Sequence, residues 1–417
     1  MKYEISAELS KGLATIEIEG KKQDFKSEDE NELRRLIVQR TSEYAVEINA
    51  SYVVLNTVDS EGKDRFGVTP EGKIIQVPTG DDADEKTLDD SSGAAPVDSP
   101  HEAKAASAPT VADFLTTAPP VAEGPAEEGW RGAIAQLTGL KISPSKIELR
   151  HREAKREVQR SHGEPKTIVV LNPKGGTEKT TTCLSLGEVL GTLRGGSVLT
   201  WDVNETRGTL GWRAPMPGHD RTSVDLLNNL EHFDGSGRVG DLDRYVRSQG
   251  DARFDVLASD EKPGGEFMIG GTEFNSLHSM LQKYYRLIVV DTGNNMRASN
   301  WRAAVEKADQ IVIVSPVRED AAASAAWLID GLRELGYANK IANAVTIIRT
   351  PDPGVEKDKY KQLQRRLRGH FESLTREVVE VPFDKTLASG ERMNFSAVSK
   401  ETKEAWLYVA EAISKGL

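Results

Sequence analysis

From Lys166 onward the chain repeats one pattern, a short and continuously apolar β-branched run followed by a helical stretch. The runs are TIVVLN, SVLTWDV, RLIVVDTG, QIVIVSPV and AVTIIRT. A strand with no polar face has to be covered on both sides, and helices between successive strands supply the cover. The pattern therefore predicts an α/β fold, a doubly wound and mostly parallel sheet over residues 166–417. In such sheets ligands collect at the carboxyl ends of the strands.

The first run ends in PKGGTEKTTTCLSLGEVLGTL, a glycine-containing loop that opens into a helix. Backbone N–H groups of such a loop, together with the helix N-terminus, cradle phosphate oxygens. Gly175, Gly176, Thr177, Glu178, Lys179, Thr180 and Thr181 are the candidate cradle. Lys179 is placed to reach the β- and γ-phosphates, Thr180 to hold Mg²⁺ through its hydroxyl, and Thr181 to touch the α-phosphate. The bland alternative is a glycine turn that happens to precede a helix. A strand, then K-G-G-x-x-K-T, then a helix is far more specific than that.

These residues resemble the deviant Walker A box of the MinD/ParA family of P-loop ATPases. The resemblance implies ATP and Mg²⁺ as ligands. It implies that Lys174 is the lysine that crosses an ATP-sandwiched homodimer to the partner's nucleotide. SVLTWDVNETRGTLGWR stands where the family places its second box, so Asp202 is the implied acid that positions the attacking water. YRLIVVDTGNN resembles Walker B, with Asp291 as the implied Mg²⁺ residue. VPFDKTLASGE resembles the late loop, which would lay Pro382, Phe383 and Asp384 against the adenine. The wider order is Trp130-Arg131, an LTG element, a basic helix, the loop, DTG and a final DKTLASGE block. It is similar to the MinD-like ATPases associated with actinobacterial type VII (ESX) secretion, the EspI type. The likeness covers about residues 130–417.

Three positions depart from the family pattern. Glu178 stands before Lys179 where glycine is usual, and a carboxylate beside a triphosphate is disfavoured by like charge. The sequence leaves two outcomes open: repulsion that weakens ATP binding, or a side chain turned outward to a basic group of the dimer partner. Asn204 replaces a second acid after Asp202. VTIIRT lacks the asparagine that often reads the adenine edge.

Upstream, residues 1–78 read as a small α+β recruitment or oligomerisation unit. MKYEISAEL and ATIEIEG alternate polar and apolar as half-buried strands do, and YVVLNTV and KIIQV follow as further strands. Between them a helix from Ser27 to about Ile48 has Ser27 as its expected N-cap and Glu30 as the capping-box partner. Residues 79–128 are rich in Asp, Glu, Ala, Pro and Ser and read as a disordered acidic linker, with one apolar island at Val111–Leu115. Residues 129–165 read as a helical, basic lead-in. The net charge of −11 belongs almost wholly to the linker, because residues 81–128 carry 12 acids and 2 lysines. An acidic chain ordinarily argues against nucleic acid; here that argument loses its force.

The single cysteine, Cys183, excludes an internal disulfide, and no run approaches the roughly 20 apolar residues of a membrane helix. Both fit a cytoplasmic protein. Trp201, Trp212, Trp301 and Trp327 are expected to be packing residues. The basic segment Lys357–Arg368 is a solvated helix face or a weak, non-specific DNA contact. Three functions stay open: a slowly hydrolysing ATP-driven dimerisation switch for a protein cargo or secretion component, a ParA-type partition ATPase, and a nucleotide-independent adaptor.

Overall fold

The computed structural model describes residues 3–10, 12–27, 29–59, 62–77, 124–138, 142–204, 208–216, 219–235, 237–260, 268–351 and 357–417. They form two compact units, Met1–Arg150 and His151–Leu417. The linker and its apolar island fall almost entirely outside the described residues.

The first unit is a six-stranded sheet in the order β3-β2-β1-β4-β5-β6. Its strands are β1 (Glu4–Ser10), β2 (Leu13–Ile18), β3 (Lys21–Lys26), β4 (Val53–Asp59), β5 (Gly62–Val68) and β6 (Ile74–Gln76). Two antiparallel meanders meet at the parallel pair β1–β4, and helix α1 (Glu30–Glu47) carries the chain from β3 to β4. The helix starts later than expected. Asp29 is its N-cap, accepting from the Asn31 N–H, while the Ser27 hydroxyl donates to Glu32. β3 has no apolar face, KKQDFK lying at the sheet edge and largely exposed, which is why alternation did not reveal it. Helix α2 (Gly129–Thr138) packs Trp130 and Ile134 into this unit's core, so its start belongs here and not to a separate lead-in. Helix α3 (Lys146–Gln159) carries the unit boundary.

The second unit is an eight-stranded sheet in the order β14-β13-β12-β7-β11-β8-β10-β9. The strands are β7 (Lys166–Leu171), β8 (Val198–Val203), β9 (Arg247–Ser248), β10 (Asp255–Leu257), β11 (Leu287–Thr292), β12 (Gln310–Pro316), β13 (Val345–Arg349) and β14 (Glu377–Val381). All pair in parallel except the short edge strand β9. Separate apolar cores fill the two faces. Helices α4 (Lys179–Arg194) and α9 (Lys400–Lys415) contribute to one core. Helices α5 (Gly271–Leu281), α6 (Ser299–Lys307), α7 (Glu319–Glu334) and α8 (Lys357–Glu372) contribute to the other. This is the doubly wound α/β fold the strand pattern predicts.

Helix α4 sits unusually close to its neighbours. A Cβ on Gly187 would stand 2.7 Å from Phe254 and 2.8 Å from Thr200, and one on Gly191 would overlap the carbonyls of Ala252 and Arg253. Glycine here gives up helix propensity in exchange for close approach. Among the described residues no helix is long and apolar enough to cross a membrane.

Candidate functional site

β7 ends at Leu171, and the chain turns through Asn172–Glu178 before α4 begins at Lys179. Asn172 organises the turn. Its amide donates to Val314 O at 2.8 Å and to Ala321 O at 3.3 Å, and its Oδ1 accepts from the Lys174 N–H at 2.9 Å. The Thr177 hydroxyl closes the loop on Lys174 O. The Lys179 ammonium donates back to Asn172 O at 2.9 Å and to Asn294 Oδ1 at 2.7 Å. A cavity of ≈ 470 Å³ opens over this loop, bounded by Gly175 to Thr181, by Asn204, Gly208, Thr209 and Arg213, by Asp291, Thr292 and Asn294, and by Leu387, Ala388 and Gly390.

Sheet register brings the two acids together. β8 and β11 pair with Asp202 directly opposite Asp291, so both carboxylates leave the carboxyl end of the sheet side by side. Both are buried, at 1% and 0% exposure. Asp291 Oδ2 accepts from the Thr180 hydroxyl at 2.6 Å, while its Oδ1 is buried without a hydrogen-bond partner. Burial, with the neighbouring Asp202 charge second, pushes the Asp291 carboxyl up to about 7. Burial also raises Asp202, against hydrogen bonds from Asn204 and the Leu210 N–H. Asn204 thus donates to Asp202 through both its backbone and its side chain, a role a second acid could not fill. Gly208 is obligatory beside it, because a Cβ there would overlap the Asp202 carboxylate.

An oxygen pair of this kind, one hydroxyl and one carboxylate with an orphaned oxygen, suits a hard divalent cation. Thr180 and Asp291 are the residues that would hold it. A cation there would also offset the disfavour that two adjacent buried carboxylates create.

Two arginines that the sequence reading did not single out act here, Arg213 in the cavity wall and Arg349 behind it through Glu178. Arg213 donates from Nη1 to Thr181 Oγ1 at 2.6 Å and from Nη2 to Leu387 O at 3.2 Å, joining α4 to the late loop. Arg349, the last residue of β13, donates from Nε to Glu178 Oε2 at 2.8 Å. The Glu178 carboxylate therefore meets a basic group of its own chain. Neither arginine has a local signal, since both partners are distant in sequence.

The remaining expectations fall as follows. The Lys174 side chain is about half exposed and pairs with Asp320 at 3.4 Å, at the start of α7. Pro382, Phe383 and Asp384 follow β14, but the cavity wall at this end is made by Leu387, Ala388 and Gly390. Asp384 is a helix cap, accepting from the Thr386 and Ser399 N–H groups. Cys183 is buried. Trp201 and Trp301 pack as expected, whereas Trp212 and Trp327 do not, being 53% and 73% exposed. In α8, Arg366 pairs with Glu319 and Arg368 with Glu372 and Glu380, so part of the basic segment is engaged with acids.

No protein-family model matches the chain. Among curated proteins it is similar to the ESX-1 secretion-associated protein EspI of Mycobacterium tuberculosis, in strains CDC 1551 / Oshkosh and ATCC 25618 / H37Rv. The identity is 25% over 292 residues, which is 69% of this chain and 42% of the relative. The chain thus spans less than half the length of the curated relatives it matches. Among solved structures it is similar to the ParA family ATPase from Chlorobium tepidum TLS, with 16% identity and a TM-score of 0.47 over 59% of this chain and 98% of that one. It is also similar to the cell division ATPase MinD of Pyrococcus furiosus, with 18% identity and a TM-score of 0.45 over 60% and 98%. The resemblance to the EspI layout read from the motifs recurs in the likeness to the curated relatives.

Proposed function

We propose that the second unit binds Mg·ATP in the cavity over Lys174–Thr181, hydrolyses it slowly, and uses it to switch between monomer and homodimer in the service of a secretion apparatus. The observation that carries the reading is the convergence at one sheet end of the phosphate loop, the Thr180–Asp291 pair with its orphaned oxygen, and Asp202. The secretion assignment rests on the likeness to EspI, whose name gives it that association.

In this reading Lys179 exchanges Asn294 for the β- and γ-phosphate oxygens. Arg213 and Thr181 sit together at the far end of the loop and would face the α-phosphate. Thr180 and Asp291 would hold magnesium, which would offset phosphate charge there. Asp202, held by Asn204 and Leu210, orients water at the γ-phosphate side. Lys174 leaves Asp320 to contact the nucleotide of a second copy. ATP favours the dimer only through contacts that the monomer lacks, and Lys174 supplies such a contact.

The test is calorimetric titration of Mg·ATP into the wild type and Lys179→Ala. The variant should lose at least about 100-fold in affinity, because the buried cation opposite the phosphates is gone. Equal affinity in the two proteins would overturn the assignment of the site.

A further inference from the structure

Glu178 looks like an obstacle to this function, and its surroundings show how the obstacle is removed. It is the N-cap of α4 and lies in the left-handed region at φ 67. Only five non-glycine residues among those described take a positive φ, and such a conformation disfavours any side chain. Its carboxylate makes no capping hydrogen bond to the helix. It points instead to Arg349.

Arg349 is built into the molecule. Its register opposite Pro316 and Val381 fixes it at the carboxyl end of β13, the same end that carries the loop. Its side chain is 4% exposed, and its guanidinium carbon lies 5.4 Å from the centre of the Trp406 ring. Nη1 is buried with no hydrogen-bond partner. A guanidinium so enclosed is costly unless an anion faces it, and Glu178 is that anion.

We infer that Arg349 is the positioning residue that makes this phosphate loop compatible with a triphosphate, holding the Glu178 carboxylate against the cavity wall and cancelling its charge. The inference rests on the nucleotide reading given above. It replaces both outcomes that the sequence left open. The carboxylate neither faces the phosphates as a free anion nor needs a partner subunit. The two residues form a compensated pair, so for ATP affinity the loss of Arg349 alone is worse than the loss of both. Glu178→Gly relieves the left-handed backbone but strands a buried cation. Loss of Arg349 frees a carboxylate beside the phosphates.

The experiment titrates Mg·ATP and Mg·ADP into the full chain as wild type, Arg349→Lys, Arg349→Gln, Glu178→Gln and the Arg349→Gln/Glu178→Gln double variant, each checked for folding by its thermal melt. Arg349→Gln should weaken ATP by about tenfold and ADP by only about threefold, because the freed carboxylate opposes the more highly charged ligand more strongly. The double variant should return ATP affinity to within about threefold of wild type, and Arg349→Lys should keep most of it. A merely structural role would lower ATP and ADP equally and leave the double variant no better than Arg349→Gln; either result overturns the inference. If Arg349→Gln does not fold, Glu178→Gln decides. Affinity equal to wild type sustains a charge already cancelled, and a gain of about tenfold or more overturns it. ATP binding by Glu178→Gln but not by wild type overturns the inference and leaves the site assignment standing. Failure of every folded protein to bind overturns the site assignment itself.

Discussion

If Lys174 reaches across a dimer, its pairing with Asp320 is a restraint that dimerisation has to break. The perturbation is Asp320→Asn, which removes the charge but keeps the Oδ1 that accepts from the Ala321 N–H. The Nζ–Oδ2 distance is 3.4 Å, and both side chains are about half exposed, at 45% and 46%. Exposed charges at that distance attract only weakly in water, and releasing one such pair shifts an equilibrium by roughly 1.4- to 5-fold. Asp320 also serves Arg318, which donates to both its oxygens and holds its carboxyl down at about 2, so the share owed to Lys174 is not at the upper end. A dimer contains two such restraints. Releasing both gives roughly 2- to 30-fold in the dimer constant, with the lower half of that range expected. Sedimentation equilibrium with Mg and a non-hydrolysable ATP analogue measures the constant directly. At 300 mM salt the gain should shrink, because an exposed pair is screened. An unchanged dimer constant, or a gain that persists when Lys174→Ala is added, would refute the reasoning.

Two further outcomes test the frame around the site. Gly191→Ala should cost roughly 1–3 kcal/mol in urea unfolding, because its Cβ meets the backbone carbonyls of Ala252 and Arg253, which cannot swing aside; a net stabilisation, as expected for a glycine in an open helix, would show that α4 is not seated as described. His278 is buried with Nε2 2.8 Å from the Thr167 hydroxyl, and burial lowers it to about 4. Its folded value lies below its unfolded value near 6.5, so its contribution is complete above that pH and is lost as pH falls toward 4, by at most about 3 kcal/mol. Urea midpoints at pH 7 and 4.5 should diverge more for wild type than for His278→Gln, and parallel shifts would refute the assignment.

What could be read in the sequence was what has a local signature. Continuous apolar runs marked the parallel strands, and K-G-G-x-x-K-T marked the loop that the structure places over a cavity. Asp202 and Asp291 stood out because acids follow apolar runs, and their pairing in register then follows from the sheet. Arg213 and Arg349 were passed over because a basic residue in a turn or at a strand end looks like ordinary surface. Their partners lie 32 and 171 residues away in sequence. Gly208 carried no motif, since its need arises from the Asp202 carboxylate folded back over it. In the first unit, β3 escaped because an exposed edge strand has nothing to alternate. Trp212 and Trp327 were misjudged by the rule that large aromatics are buried, which holds on average and not for each residue.

The glycine face of α4 has a consequence for signalling. With Gly187 against Phe254 and Thr200, and Gly191 against two carbonyls, this helix has no slack in the direction of the sheet. It works as an anvil: ligand charge striking its N-terminus cannot be absorbed by the helix settling deeper. In the proposed reading, the arrival of a nucleotide would have to be passed on sideways, through fasteners that can let go. Lys179 leaving Asn294 would reach the segment after β11, and Arg213 leaving Thr181 would reach the segment after β8 and, through Leu387, the late loop. Three surface segments would then register one binding event at once, while the helix that receives it stays still.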